Sequence, residues 1–156
     1  IAINMYYLYK VTFPATFWKT IFIQAYFILE NNLEILCIMI ESYKKLPLGP
    51  SDLKDRGVTR SVTYLKKVAG IKKPFENSRW RDFKSYNFIR NSIAHSDGNF
   101  KKDDEKHFKL IEKFNNTLHY IDKDLSNELL FTKEFCLNFL NFIEINFKNI
   151  EAEYKF

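Results

Sequence analysis

The sequence predicts an all-α protein, a single helical bundle of about five helices spanning residues 1–156. Three observations predict it. Gly and Pro are scarce, four of each, and apart from Pro14 and Gly98 they fall between residues 47 and 74, which leaves long segments unbroken. Within those segments apolar residues recur at three- and four-residue steps, the helical period. Hydrophobic residues make up 46% of the chain and aromatic residues 17%, enough apolar surface for one core in a domain of this length.

The elements follow in order. Trp18, Ile21, Phe22, Ala25, Leu29, Leu33, Leu36 and Ile40 set a helical period from Thr16 to about Tyr43. Phe13-Pro14 marks its approach, because proline suits a first turn and disfavours helix in the residue before it. Leu46-Pro47-Leu48-Gly49-Pro50 ends this helix, and Ser51 with Asp52 offers an N-cap to a short segment. Val58, Val62, Leu65 and Val68 repeat the helical spacing between Gly57 and Ala69, with Gly70 as a C-terminal stop.

After Lys72-Lys73-Pro74, Ser78 is placed to cap a helix carrying Trp80, Phe83, Asn87, Arg90, Asn91 and Ala94, which Gly98 closes. Asp103, Asp104 and Glu105 put negative charge at the positive end of the next helix, expected to continue through Phe108, Ile111, Leu118 and Ile121. A last helix is expected from about Thr132 to Tyr154. The helical spacing of Phe131, Phe135, Phe139, Phe142 and Phe147 points to core or dimer packing. No repeat or low-complexity tract interrupts the pattern.

Cys37 and Cys136 lie far apart in apolar contexts, without C-x-x-C or a disulfide framework, and read as buried free thiols in a reducing compartment. The most apolar window, Ile21 to Ile40, holds Gln24, Glu30, Asn31, Asn32 and Glu34, so a membrane span is not expected. No secretory leader pattern opens the chain, and the expected location is the cytoplasm. The net charge of +5 is compatible with phosphate-rich partners without selecting them. His107 and His119 lack ligand spacing with each other or with the cysteines; no metal and no cofactor is expected.

Chemistry concentrates in Arg90-Asn91-Ser92-Ile93-Ala94-His95. At about 100° per residue, Asn91 and His95 share a helix face and Arg90 falls in the same broad sector. RNA can be cut without a metal when a base removes the 2′-hydroxyl proton, a cation neutralises the phosphate and an acid protonates the leaving oxygen. Histidine exchanges a proton near neutrality, and arginine grips two phosphate oxygens at once. R-x-x-x-x-H alone arises by chance in roughly one such chain in ten. Its context adds weight: Asn follows the Arg, Trp80 opens the helix, and Ser96-Asp97-Gly98 follows the His.

Residues 86 to 98, Tyr-Asn-Phe-Ile-Arg-Asn-Ser-Ile-Ala-His-Ser-Asp-Gly, resemble the core of the HEPN superfamily, whose ribonucleases and toxins carry R-N-x-x-x-H in a small helical bundle. Upstream, Leu29-Glu30-Asn31-Asn32-Leu33 with Cys37 is similar to the first long helix of bacterial members. Asp55-Arg56-Gly57-Val58-Thr59-Arg60 with Tyr64-Leu65 is similar to their second helical segment. The resemblance covers roughly residues 25 to 100 and implies a homodimer in which two motifs form a composite RNA-cutting site. It further implies that Arg90 stabilises the phosphate, His95 acts as acid or base, Asn91 orients one of them, and Glu30 is an inward-facing partner of Arg90.

Two functions of different classes follow as expectations. The first is a metal-independent endoribonuclease of toxin or phage-defence type, with a separate antitoxin or regulatory protein as a further partner. The second is a catalytically silent module that binds RNA, a nucleotide or a protein. Lys66, Lys67, Lys72, Lys73, Arg79, Arg81 and Lys84 form the densest basic stretch, either an RNA-backbone contact or a solvated face. For the motif itself, the plain structural alternative is that Arg90 and His95 only serve the carbonyls at the helix end.

Overall fold

The computed structural model describes residues 5–114 and 117–154. The fold is mainly α, with 70% of the described residues in helices or helical turns. A short helix α1 (Met5–Tyr7) leads through a π-helical turn, Leu8–Thr12, into the long α2 (Phe13–Lys44). Then come α3 (Gly57–Lys67), α4 (Phe83–Ser96), strand β1 (Asn99–Phe100), α5 (Glu105–Lys113), strands β2 (Leu118–Asp122) and β3 (Asn127–Phe131), and α6 (Lys133–Glu153).

The π-helical turn has a local cause. Pro14 has no N–H, and its ring would crowd the carbonyl of Lys10 in a regular helix. The chain widens by one residue just before it, so that the Phe13 N–H donates to the Leu8 carbonyl. The helical run therefore begins at Met5, well before Thr16, and continues through the proline. By length and composition the run Met5–Lys44 could cross a membrane, a property it shares with core helices of water-soluble folds; 33% of its most apolar stretch is buried.

The chain forms two compact units, residues 1–24 with 84–141 and residues 25–83 with 142–156. In the first, the fully buried Phe22 ring packs against Phe131, Phe135 and Phe139 at centroid distances of 5.7, 5.2 and 4.9 Å. Tyr86 closes the cluster from α4, 4.6 Å from Phe139. Four of the five phenylalanines at helical spacing, Phe131, Phe135, Phe139 and Phe142, are thus core residues, and Phe147 is half-buried.

The helix expected to run from Glu105 through Ile121 is instead α5 followed by a hairpin. Leu118 and Ile121 belong to β2, which pairs antiparallel with β3 from Leu118↔Phe131 to Asp122↔Asn127. β1 pairs with the other edge of β3, giving the order β1-β3-β2. Along β3 burial alternates from Asn127 to Phe131, the period of a half-buried strand. Of the three acidic residues expected at the start of this helix, Asp104 caps α5, its carboxylate accepting from the N–H groups of Lys106 and His107.

In the second unit, Leu29, Leu33, Cys37 and Ile40 of α2 and Tyr64 and Leu65 of α3 are fully or almost fully buried. Arg60 of α3 pairs with Glu34 of α2 at 2.5 Å, and the Tyr64 hydroxyl donates to the Leu48 carbonyl at 2.9 Å. Trp80 stacks on Phe83 and Phe142 and meets Phe75 edge-on. The cap before Trp80 is Asn77 rather than Ser78: the Asn77 Oδ1 accepts from the Trp80 N–H at 2.7 Å, and one 3-10 turn, Trp80–Asp82, precedes α4.

Candidate functional site

Arg90, Asn91 and His95 all lie on the last two turns of α4, in the first unit. Arg90 Nη1 donates to Asn91 Oδ1 at 3.1 Å, and both side chains are part-buried. His95 is exposed in the final turn. The set therefore presents a fixed guanidinium, an amide that orients it, and an accessible imidazole. Such groups can bind an oxyanion and exchange a proton beside it.

The turn after His95 is tightly braced. Asp97 and Gly98 both adopt left-handed backbone, at φ of 54° and 83°. The Gly98 N–H reaches back to the Ser92 carbonyl at 3.2 Å, the long bond of a Schellman closure. The Ser96 hydroxyl lies 2.8 Å from the Ser92 carbonyl and 2.7 Å from the Asn99 carbonyl, with one proton to share between them, and Asn99 Nδ2 donates to the Ser96 carbonyl. Lys19 of α2 grips Asp97 Oδ1 at 2.7 Å, and the Gly98 carbonyl accepts from the Leu129 N–H of β3 at 3.0 Å. The helix end that carries His95 is thus held by α2, the sheet and its own turn.

Inside the motif, Ser92 turns inward. Its Oγ shares a 2.9 Å hydrogen bond with Nε2 of the buried His107 on α5. That imidazole stacks flat on Phe100 at 4.5 Å and meets Phe88 edge-on at 4.8 Å. Its Nδ1 lies 3.0 Å from Asp104 Oδ2. Burial pushes the Asp104 carboxyl up, but His107 and the backbone N–H groups of His107 and Lys106 outweigh it and hold the group below the usual carboxylate range. His107 is a core histidine. Its spacing from Ser92 showed no pattern that could have linked the two in advance.

Glu30 belongs to the second unit, half-buried on α2. Its carboxylate lies against Gly57, where an added Cβ would stand 3.1 Å from Oε1. That places negative charge at the amino end of α3, complementing its dipole. Lys72, Lys73, Arg79 and Arg81 are exposed residues of the second unit, whereas Lys84 opens the part of α4 that belongs to the first. Among the described residues no three His, Cys, Asp or Glu side chains gather into a metal-binding group.

This mainly α fold presents an Arg-Asn-His set on a braced helix end. No family model matches the chain, and no curated protein or solved structure matches it either.

Proposed function

We propose that the protein is a metal-independent endoribonuclease of toxin or phage-defence type, acting as a cytoplasmic homodimer of a HEPN-like fold. What carries the proposal is the Arg90-Asn91-His95 set on an accessible, braced helix end, with the guanidinium held by the amide at 3.1 Å. One His95 takes the proton from a ribose 2′-hydroxyl, and that oxygen attacks the adjacent phosphorus. The P–O5′ bond breaks, and His95 of the partner subunit gives a proton to the departing 5′-oxygen. Arg90 neutralises the phosphate oxygens as charge builds, and Asn91 orients Arg90. The products are a 2′,3′-cyclic phosphate and a 5′-hydroxyl.

Support for self-association comes from α2, where Phe27, Ile28, Ile35, Ile38 and Met39 are each at least 44% exposed, an apolar load that a second copy would cover. An antitoxin or regulatory protein fits the same class of protein. The test is cleavage of total RNA by purified wild type and His95→Ala in a chelator. Loss of cutting in the folded variant is expected; undiminished cutting by it would overturn the assignment.

A further inference from the structure

α4 and α5 of the first unit flank a shallow, open groove of about 350 Å³. Its floor is apolar, with Phe88 from α4 and Leu110 from α5, both half-exposed. Its rim is cationic: Lys84 stands on α4, and Lys106, Lys109 and Lys113 stand on α5 at spacings of three and four residues. None of the lining residues is acidic. Of the four, Lys109 is bridged to Glu105 at 3.2 Å and Lys113 donates to Ser85 at 2.8 Å. An anion lying between the two helices would lower the repulsion among these four like charges.

The groove also has a direction. Lys84, Phe88, Asn91 and His95 are spaced by four, three and four residues, so they fall on one face of α4. From Phe88 to His95 the helix rises about 10 Å. A strand entering at Lys84 and passing over Phe88 would continue along that face to the Arg-Asn-His set.

We propose that this groove binds single-stranded RNA, its phosphates on Lys84, Lys106, Lys109 and Lys113 and a base against Phe88, and delivers the strand to His95. The ligand class rests on the ribonuclease assignment above; the groove itself does not. An aromatic floor between two cationic rims suits a polymer whose flat bases and charged backbone alternate, and every base has a face that can stack. The stretch Lys72, Lys73, Arg79 and Arg81 contributes no lining residue here.

The experiment is fluorescence anisotropy of labelled single-stranded RNA on the full chain carrying His95→Ala, so that binding is read without cutting. Adding Lys106→Gln and Lys113→Gln is expected to weaken binding at least tenfold. It should also flatten the salt dependence by about 0.7 in log–log slope for each phosphate that is no longer neutralised. Lys133→Gln with Lys148→Gln, exposed on α6 and outside the groove, should leave both unchanged. Should the double groove variant fail to fold, Lys109→Gln alone gives the same direction, since its exposed pair with Glu105 adds little stability.

Unaltered RNA binding in a folded groove variant would overturn the proposal, as would displacement of the RNA by polyglutamate at equal charge concentration. The two proposals fail separately. Wild type that binds RNA in the groove but never cuts it removes the chemistry and keeps the groove, and cutting indifferent to the groove lysines does the reverse.

Discussion

Ser92 Oγ and His107 Nε2 stand 2.9 Å apart, linking the helix of the Arg-Asn-His set to the helix that follows it. The bond sits in a dry place: His107 is 7% exposed and sandwiched by Phe100 and Phe88. Ser92→Ala leaves Nε2 buried without that partner, at a cost of about 1–3 kcal/mol. Urea unfolding measures it, and an unmoved midpoint would show that the bond contributes nothing. His95→Ala, at an exposed position, should change stability by less than about 0.5 kcal/mol.

Asp104 gives the protein a pH signature. Burial works to raise its carboxyl, but His107 and the Lys106 N–H overcome that effect and hold the group below the usual range once folded. A depressed carboxyl adds stability that is complete above the ordinary carboxylate range and is lost as pH falls through the folded value. Asp104→Asn should therefore flatten the acid side of the stability curve while largely keeping the cap, and Asp104→Ala should also lose about 1 kcal/mol of capping. Urea midpoints across acid and neutral pH separate the two variants; parallel curves for wild type and Asp104→Asn would contradict the assignment.

Gly98 is required by its backbone rather than by space. An added Cβ would meet Leu129 and Ile93 only at 3.7 and 3.9 Å, ordinary contact, but φ is 83°. Gly98→Ala should cost about 1–2 kcal/mol. Because this turn closes the helix end that bears His95, RNA cleavage should fall together with the melting temperature. Wild-type stability in Gly98→Ala would show that the turn tolerates a side chain.

Much of the helical fold could be seen in the sequence, because Leu29, Leu33 and Ile40, or Val58 and Leu65, mark a period that only a helix buries on one side. The hairpin could not. Leu118 and Ile121 are three apart, the spacing of a helix face rather than of a strand face, and the pairing that decides for β2 comes from Phe131 and its neighbours on β3. Proline at position 14 pointed to a helix start, yet a π-helical turn let helix begin before it. At the site, Arg90, Asn91 and His95 are visible because they sit close together on one helix. The lysine groove is not, since Lys84 and Lys106 are brought together only when α5 folds back along α4. Ser92 and His107 were hidden for the same reason.

Both thiols should be inert in the folded protein. Burial pushes Cys37 and Cys136 up to about 12, with Cys37 beside the Ser61 carbonyl and Cys136 donating to the Trp18 carbonyl at 3.1 Å. The thiolate is the reactive form, so an alkylating reagent at neutral pH should label neither until denaturant is added. Rapid labelling of either thiol in native protein would contradict the packing of that helix.

The most direct test of the central claim is the chemistry of the cut ends. Wild-type protein is incubated in a chelator with an RNA and with its all-2′-deoxy counterpart, and the fragments are analysed by mass. Ribonuclease action through the 2′-hydroxyl should give 2′,3′-cyclic phosphate and 5′-hydroxyl ends from the RNA and no cutting of the deoxy strand, which lacks the attacking oxygen. Cutting of the deoxy strand, 3′-hydroxyl ends, or RNA left intact would contradict it.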